Sequence, residues 1–482
     1  MKLFEIMNGI QYEVIQGNDI EIESLSIDSR VNIFNGLFFC IKGFSVDGHS
    51  FIKNVVLEGV AAIVIDSNVD WLPSGITILK VANSREALSI AAGNFYNNPT
   101  HSFNLAGFTG TNGKTSSTYF LEAVLQACNK RVGIIGTVGA KICSKEIDIK
   151  FATSTTPDPI ELQQIFSEMR NERATDVIME VTSHALMLSK VHGLRYKVAV
   201  LTNLTQDHLD VHGTMQDYRN EKAKLFKMCD HAVINIDDEH GKFFVEISEC
   251  PVMTYGIDNP NGDLKVTNIL NVENGTEFDV NIFGKTEHFF IPIKGKFSIY
   301  NCLGVIGASL VLNVPIELTK ESLSKMKGIP GRIQSIQNDR GINVIVDYAH
   351  TPDGIKNIAS AVREFTDGKL ITVFGCGGDR DKTKRPIMGK TAVEFSDYCI
   401  ITSDNPRTED PASILVDIEE DILDFPYKYE KIVDREEAIQ RAIFTAERGD
   451  SIILAGKGHE NYQIFADRTI HFDDAEIVKK YL

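Results

Sequence analysis

The segment Gly107-Phe108-Thr109-Gly110-Thr111-Asn112-Gly113-Lys114-Thr115 has the composition of a phosphate-binding loop. Glycines let the backbone turn its N–H groups toward phosphate oxygens, and the start of a helix adds partial positive charge. Lys114 has the length to reach the β- and γ-phosphates, and the Thr115 hydroxyl suits Mg²⁺. The strict pattern has glycine where this chain has Phe108. The alternative is a glycine-rich turn that only caps a helix, and the flanking strand and helix patterns favour phosphate binding.

Two further polar clusters follow strand-like runs. Glu180 ends the run that begins at Asp176, and its carboxylate is a hard oxygen donor suited to Mg²⁺ or, alternatively, a helix cap. Asp207, His208, Asp210 and His212 lie within six residues of one another after the run Val198–Leu201. They suggest a transition-metal site, and the competing interpretation is a polar loop with one core histidine.

Charged residues farther along the chain are suited to holding an amino acid. Arg380 and Arg407 carry planar guanidinium groups that bond a carboxylate in bidentate fashion, and Glu460 suits an ammonium group. A surface salt bridge is the competing interpretation for each arginine. Lys222 and Lys224 lie on different faces of a predicted helix, and composition alone predicts both to be solvated.

The elements that must position these residues follow a strand–loop–helix rhythm. Short β-branched runs that end in polar residues are typical of buried parallel strands. Residues 250–296 alternate and contain turn signals, which predicts an antiparallel patch. The predicted helices include Ser84–Tyr96 and Thr115–Cys128, and the predicted strands are Phe103–Phe108, Asp176–Glu180, Val198–Leu201, Asn343–Asp347, Leu370–Phe374, Tyr398–Thr402 and Ser451–Ala455.

Length and composition predict a multidomain α/β protein. A chain of 482 residues is too long for one hydrophobic core. Breaks at Asn97-Asn98-Pro99-Thr100 and Gly328-Ile329-Pro330-Gly331 predict three domains: 1–100, 101–330 and 331–482. The central domain is predicted to have a mostly parallel sheet, and the C-terminal one to be a Rossmann-like α/β domain.

Charge and cysteine use narrow the class of protein further. The formal charge of −17 disfavours a general binder of nucleic acid or of anionic membranes. Eight scattered cysteines without a Cys-x-x-Cys pair are typical of reduced thiols. We find neither a signal-peptide pattern nor a run of 18 apolar residues, and we therefore expect a cytoplasmic protein without a membrane span. We also expect a monomer.

Five motifs in order resemble those of the Mur ligases, and among them the MurE type, which adds diaminopimelate. The resemblance runs from about residue 26 to 470. Its motifs are Gly-Thr-Asn-Gly-Lys-Thr (110–115), Glu-Val-Thr-Ser-His-Ala-Leu (180–186), Asn-Leu-Thr-Gln-Asp-His-Leu-Asp (203–210), Asp-Tyr-Ala-His-Thr-Pro (347–352) and Gly-Lys-Gly-His-Glu (456–460).

The resemblance implies three domains that bind a UDP-sugar, ATP and an incoming amino acid. It implies ATP-dependent formation of an amide through an acyl phosphate, with UDP-N-acetylmuramoyl-L-alanyl-D-glutamate, meso-diaminopimelate and ATP as substrates in peptidoglycan precursor synthesis. The residues that it assigns to ATP are Gly110, Thr111, Asn112, Gly113, Lys114, Thr115, Ser116, Asn301 and Asp347.

The resemblance also implies how Mg²⁺ and the UDP-sugar peptide are bound. Thr115, Glu180, His208 and a carbamylated Lys222 would be Mg²⁺ ligands, and Lys114 would offset charge on the transferred phosphoryl group. Lys190 stands where the family usually has arginine, which keeps the charge and loses the planar fork. The residues implied for the UDP-sugar peptide are Ser29, Phe44, Ser45, Val46, Thr155, Thr156, Thr182 and Lys190.

The amino-acid pocket carries the substrate assignment. Asp404-Asn405-Pro406-Arg407 matches the signature of members that add diaminopimelate, and lysine-adding members lack the arginine. Diaminopimelate has a second carboxylate that lysine does not, and Arg407 would pair with a carboxylate. Arg380, Gly456 and Glu460 would complete the pocket. The alternatives are a lysine-adding or folylpolyglutamate-type ligase, a P-loop kinase or regulatory NTPase, and a non-catalytic nucleotide-binding module.

Overall fold

The structure is a computed structural model that describes residues 1–43, 46–69, 71–149, 155–205, 207, 209–272, 274–326, 331 and 333–482, the side chain of residue 210 excepted. It is mixed α/β with mostly parallel sheets, which confirms the predicted fold class. The chain divides into two compact units. The first comprises 1–265, 281–285 and 301–322, and the second comprises 266–280, 286–300 and 323–482.

The N-terminal part of the first unit is built on a five-stranded sheet of order β1-β5-β4-β3-β2. β2 to β5 pair in parallel, and β1 pairs antiparallel with β5. Its strands are β1 (Tyr12–Gln16), β2 (Ser24–Ser26), β3 (Gly36–Phe39), β4 (Ala62–Ile65) and β5 (Thr77–Val81), and its helices are α1 (Leu3–Ile6), α2 (Ile52–Leu57) and α3 (Ser84–Phe95), with a 3₁₀ turn at Gly48–Phe51.

A second, eleven-stranded sheet has the order β16-β15-β14-β13-β12-β11-β6-β10-β7-β8-β9. β8 and β9 are antiparallel additions at one edge, whereas β7, β10, β6, β11, β12 and β13 are parallel. The strands are β6 (Asn104–Thr109), β7 (Val132–Gly136), β8 (Gly139–Ile142), β9 (Lys145–Glu146), β10 (Asp176–Glu180), β11 (Val198–Leu201), β12 (Ala232–Asn235), β13 (Val252–Gly256), β14 (Leu264–Val272), β15 (Gly275–Ile282) and β16 (Lys285–Ile291).

Helices connect the parallel strands and cover their apolar side chains. β10 and β11 are buried along their whole length, which is why they read as continuous apolar runs. The helices are α4 (Lys114–Ala127), α5 (Pro159–Asn171), α6 (Ser183–Met187), α7 (Leu209–His212), α8 (Met215–Ala223), α9 (Gly241–Ile247), α10 (Lys296–Val311) and α11 (Ile316–Ser324), with 3₁₀ turns at Pro99–Ser102 and Lys224–Lys227.

The second unit contains a six-stranded sheet of order β17-β18-β22-β19-β20-β21, in which only the pairing of β17 with β18 is antiparallel among the described strands. A two-stranded antiparallel ribbon, β23–β24, follows it. The elements are β17 (Gln334–Ile336), β18 (Asn343–Asp347), α12 (Pro352–Arg363), β19 (Leu370–Phe374), α13 (Lys384–Phe395), β20 (Tyr398–Ile401), α14 (Pro411–Glu419), β21 (Tyr429–Lys431), α15 (Arg435–Thr445), β22 (Ser451–Ala455), β23 (Tyr462–Ile464), β24 (Thr469–His471) and α16 (Asp474–Tyr481).

The predicted strands that carry polar residues at their ends agree with the structure to within one residue. The antiparallel expectation for residues 250–296 is wrong for β13, because this strand pairs in parallel with both β12 and β14. The boundaries of three domains at 100 and 330 stay a prediction. Among the described helices, none is long and apolar enough to cross a membrane.

A fully buried ion pair fixes the C-terminal helix to the sheet of the second unit. Arg435 donates to the two carboxylate oxygens of Asp474 at 2.8 and 2.6 Å, and both side chains have 0% exposure. The same guanidinium donates to the Ala455 carbonyl at 3.2 Å and to the Ser403 carbonyl at 3.4 Å. It therefore ties α16 to the ends of β22 and β20.

We predict that Asp474→Asn lowers the free energy of unfolding by about 3–5 kcal/mol, because it leaves a buried guanidinium without its counter-charge. Glu436→Gln is the matched control, since Glu436 and Lys480 form an exposed pair that also joins α15 to α16. Loss of an exposed pair costs at most about 1 kcal/mol. Urea unfolding followed by circular dichroism measures both variants, and equal shifts of the transition would contradict the assignment.

Candidate nucleotide and amino-acid sites

The phosphate loop lies between β6 and α4, and the close approach of other loops requires its glycines. Gly110 has φ +152°, and a Cβ there would lie 1.9 Å from Thr202 Oγ1. Gly113 has φ +83°, and its Cβ would lie 2.3 Å from Asn301 Oδ1. Any side chain at either position would displace the loop. The predicted ATP residue Asn301 thus lies against the loop.

Lys114 folds back over this loop and donates from Nζ to the carbonyls of Gly110 and Thr111, each at 2.9 Å. The next residue of α4, Thr115, is buried. Phe108, which breaks the strict sequence pattern, is a fully buried residue of β6. The turn of the loop therefore starts after β6, at Gly110, and position 108 belongs to the hydrophobic core.

The loop after β11 holds the phosphate loop in shape. Asn203 and Asn112 form a reciprocal pair: the Asn112 N–H donates to Asn203 Oδ1 at 2.9 Å, and Asn203 Nδ2 donates to the Asn112 carbonyl at 3.1 Å. Thr202 Oγ1 donates to the same carbonyl at 2.6 Å, and the Thr205 N–H donates to Thr111 Oγ1 at 2.9 Å. These contacts join two loops that are about ninety residues apart in sequence.

Glu180 lies at the end of β10 with 2% exposure and faces the start of α4. Its two carboxylate oxygens accept hydrogen bonds from the Thr115 hydroxyl at 3.0 Å. The Thr137 N–H and hydroxyl donate to the same carboxylate at 3.0 and 3.1 Å. A Cβ at Gly136 would lie 2.2 Å from Glu180 Oε1, so only glycine leaves room for the carboxylate. The result is a cluster of hard oxygen atoms beside the phosphate loop.

Lys222 on α8 is buried with 1% exposure, which corrects the expectation of a solvated side chain. Its Nζ donates to the Gly110 carbonyl at 3.0 Å and lies 4.7 Å from the centre of the Tyr218 ring. Burial lowers the pKa of Lys222 well below its usual value, and the positive charge of Lys114 acts in the same direction. The i, i+4 spacing of Tyr218 and Lys222 places both on the face of α8 that packs inward. Lys224 is half-exposed and pairs with Glu221, as expected.

The structure describes only part of the histidine-rich segment 207–212. His208, a predicted metal ligand, lies outside the described residues. His212 is buried, shares a 2.9 Å hydrogen bond with the Ser183 hydroxyl and packs edge-on against the His184 ring. It is therefore a core histidine.

The residues predicted for the UDP-sugar peptide fall into two groups. Thr156 Oγ1 donates to the Glu180 carbonyl at 3.0 Å and lies 3.3 Å from Thr182 Oγ1, and Thr155 Oγ1 lies 3.2 Å from Thr137 Oγ1. Lys190 joins this group through a 3.5 Å bond to the Thr156 carbonyl. Its ammonium is buried and pairs with Asp158 at 2.8 Å.

The other group lies in the N-terminal part of the chain. Ser29 is half-buried and Val46 is 55% exposed. Phe44 and Ser45 lie outside the described residues. Among the residues that the structure describes, no hydrogen bond joins Ser29 or Val46 to the Thr155–Thr156 group.

In the second unit, the residues predicted for the amino acid converge beyond β20 and β22. Asn405 Nδ2 donates to Glu460 Oε2 at 2.8 Å, and its N–H donates to Asp404 Oδ1 at 2.7 Å. Gly456 has φ +115°, and a Cβ there would lie 2.6 Å from Asp404 Oδ2. Arg407, at φ +51°, donates from Nη1 to the Gly378 carbonyl at 2.8 Å.

Three further predicted residues lie around this group. Arg380 is exposed, and its side chain lies next to Gly377. The carbonyl of Pro406 approaches Gly378 so closely that a Cβ there would lie 1.9 Å away. Asp347, predicted for ATP, ends β18 and accepts the N–H groups of Ile333 and Ala349 at 2.8 and 2.9 Å. Its own carbonyl accepts from Gly456 at 3.1 Å.

We predict that Asn203→Ala weakens the binding of Mg-ATP by on the order of tenfold, because it removes two of the three side-chain hydrogen bonds that hold the Asn112 peptide and leaves only that of Thr202. Isothermal titration calorimetry of the purified protein measures the change. Asn220→Ala is the control, since Asn220 is an exposed residue of α8. An unchanged affinity of the Asn203 variant would contradict the role of the loop after β11.

Comparison with known proteins assigns the chain to a family. Residues 108–309 match the Mur ligase middle domain, residues 331–458 match the Mur ligase glutamate ligase domain, and residues 21–96 match the Mur ligase family catalytic domain. A UDP-N-acetylmuramoyl-L-alanyl-D-glutamate–2,6-diaminopimelate ligase of Clostridium acetobutylicum is 44% identical over 100% of this chain and 99% of its own length. A ligase of the same name from Clostridioides difficile is also 44% identical over the same shares.

Solved structures agree with this assignment. One of a UDP-N-acetylmuramoyl-L-alanyl-D-glutamate–2,6-diaminopimelate ligase superposes with a TM-score of 0.69 at 28% identity, covering 95% of this chain and 94% of that one. MurF from Acinetobacter baumannii shares the fold, with a TM-score of 0.60 at 18% identity over 94% and 95% of the two chains. The chain therefore belongs to the Mur ligase family and is an ATP-dependent ligase.

Proposed function

We propose that this ligase adds meso-diaminopimelate to UDP-N-acetylmuramoyl-L-alanyl-D-glutamate in the synthesis of peptidoglycan precursors. The full-length relatives at 44% identity are named UDP-N-acetylmuramoyl-L-alanyl-D-glutamate–2,6-diaminopimelate ligases. The observation that carries the proposal on this chain is that Asn405 bonds both charged groups: its side chain donates to the Glu460 carboxylate at 2.8 Å, and its carbonyl accepts from the Arg407 guanidinium at 3.4 Å. A carboxylate suits the substrate ammonium and a guanidinium suits its carboxylate.

The reaction proceeds in two steps. The terminal carboxylate of the UDP-muramoyl dipeptide attacks the γ-phosphorus of ATP, which forms an acyl phosphate and releases ADP. The neutral amine of diaminopimelate then attacks the acyl carbon, and the tetrahedral intermediate loses phosphate and the extra proton of the amine to leave an amide. Lys114 leaves the Gly110 and Thr111 carbonyls to contact the phosphates, where its charge stabilises the transferred phosphoryl group.

We propose that Mg²⁺ is held by Thr115, Glu180, His208 and a carbamylated Lys222. The oxygen atoms of Thr115 and Glu180 fit the ion, because Mg²⁺ prefers hard oxygen ligands and the two groups lie 3.0 Å apart. Bound Mg²⁺ would neutralise charge that develops on the phosphates. Carbamylation joins Lys222 Nζ to the carbon of CO₂ with loss of a proton, and turns the side chain into an oxygen ligand.

The remaining assignments follow the same family pattern. Thr155, Thr156, Thr182 and Lys190 hold the UDP-sugar peptide close to Glu180, together with Ser29, Phe44, Ser45 and Val46. The Lys190–Asp158 pair at 2.8 Å leaves a single ammonium for the substrate instead of a planar fork. We also propose that the protein acts as a monomer in the cytoplasm, where ATP and nucleotide sugars are supplied.

Phosphate release from purified protein with Mg-ATP and UDP-muramoyl dipeptide tests the function, with diaminopimelate and lysine in parallel reactions. We expect phosphate and amide product only when the dipeptide, ATP and diaminopimelate are all present. Phosphate release without any amino acid would instead support a kinase or regulatory NTPase. Faster reaction with lysine would support a lysine-adding ligase, and binding without turnover a non-catalytic module.

We predict that Arg407→Ala lowers the ratio of kcat/KM for diaminopimelate to that for lysine by on the order of 10²-fold, because only diaminopimelate has the carboxylate that the guanidinium binds. The same assay measures it. Arg441→Ala is the control, since Arg441 lies on α15 and is 57% exposed. An unchanged preference in the Arg407 variant would refute the assignment of this residue.

We predict that Lys222→Ala lowers kcat by on the order of 10²-fold or more, since it removes a ligand of the catalytic ion. Added short carboxylic acids should restore part of the activity by occupying the vacated space. Lys224→Ala, which alters an exposed residue of the same segment, should act like the unaltered protein. Native mass spectrometry should detect the carbamate on the unaltered chain, and full activity of Lys222→Ala without added acid would rule the role out.

A further inference from the structure

Lys457 is a lysine with 0% side-chain exposure, one residue beyond Gly456 in the second unit. Its Nζ lies 3.4 Å from Asn405 Oδ1, 3.4 Å from Glu460 Oε2 and 5.5 Å from the centre of the Tyr462 ring. Removing an ammonium group from water is costly, so a buried ammonium stays charged only where opposite charge and hydrogen-bond acceptors surround it. Both hydrogen bonds of Lys457 are long, so they alone do not explain why an ammonium group is buried at this position.

The charged groups around Lys457 explain its burial better. Among the buried and half-buried charges of the pocket, Asp404 and Glu460 are the carboxylates and Lys457 and Arg407 are the cations, and Arg380 adds an exposed positive charge. Burial lowers the pKa of Lys457, while the negative charges of Asp404 and Glu460 act in the opposite direction. The nearby Arg435–Asp474 pair is neutral in itself. The two carboxylates and two cations that are buried or half-buried therefore cancel.

This charge balance determines whether the pocket prefers an end of the amino acid that carries both an ammonium and a carboxylate, or an end that carries only an ammonium. An end that carries both an ammonium and a carboxylate has no net charge, and it leaves the charge of the pocket unchanged. An end that carries only an ammonium adds one uncompensated positive charge beside Lys457 and Arg407. Removal of the Lys457 charge would weaken the preference, because Asp404 and Glu460 would then face one cation fewer and would accept an added ammonium more readily.

We infer that Lys457 is a specificity-determining residue, which balances Asp404 and Glu460 so that the pocket selects a zwitterionic amino-acid end over an ammonium-only end. The inference rests on the proposed function, because it concerns the same pocket. Lys457 acts through these two carboxylates and through Asn405. Its role differs from that of Arg407, which contacts the substrate carboxylate in our proposal.

The test compares kcat/KM for meso-diaminopimelate and lysine in Lys457→Met, Lys457→Gln and the unaltered enzyme, with Lys390→Met as control. Methionine removes the charge at similar volume, and glutamine keeps the ability to bond Asn405 and Glu460. Lys390 is an exposed residue of α13. We expect both Lys457 variants to lower the diaminopimelate-to-lysine ratio by about tenfold or more, with the KM for ATP and the ratio in Lys390→Met unchanged.

The outcomes separate the inference from the proposed function. An unaltered enzyme that makes product with neither amino acid overturns the proposed function, and the inference falls with it. An active enzyme in which the Lys457 variants lose both activities equally, or keep the ratio, overturns the inference alone. Failure of both variants to fold, as measured by thermal melting, would assign Lys457 a structural role and also overturn it.

Discussion

Parallel pairing of β6 with β10 on one side and β11 on the other is the constraint on which the first unit depends. The register places Glu180 opposite Phe108 and Leu201 opposite Thr109, so all three strands end at the same level of the sheet. The residues that follow each strand must then share one small volume. This shared edge is what allows a carboxylate, a phosphate loop and an asparagine-bearing loop to contact one another directly.

The residues that meet at this edge of the sheet are crowded, and glycine and short polar side chains are the residue types that fit there. Glycine at 110, 113 and 136 admits neighbouring atoms to within 1.9–2.3 Å of the position that a Cβ would take. Hydroxyl and amide groups of Thr202 and Asn203 then satisfy the backbone groups that the loop cannot pair within itself. The loop geometry is therefore a property of three strand ends together.

Local sequence patterns were sufficient to predict the positions of the strands. They could not predict contacts between residues that are distant in the chain. Apolar runs that end in a polar residue or lead into a polar or glycine-rich segment locate β10, β18, β19 and β22 to the residue, because buried parallel strands leave that pattern. No local pattern indicates that Thr137 braces Glu180 from 43 residues away. Lys222 looked solvated for the same reason, since its burial comes from the phosphate loop, 112 residues earlier.

Glu180 and Glu460 differ in whether the protein offsets their negative charge, and this difference follows the charge of what each is proposed to bind. Among the described contacts of Glu180, the hydrogen-bond donors are Thr115 and Thr137, which carry no charge. The negative charge of Glu180 thus stays available to a cation. Glu460 instead lies beside the buried ammonium of Lys457, so its charge is offset within the protein. A divalent ion requires excess negative charge at its site, whereas a zwitterion requires separated charges that cancel.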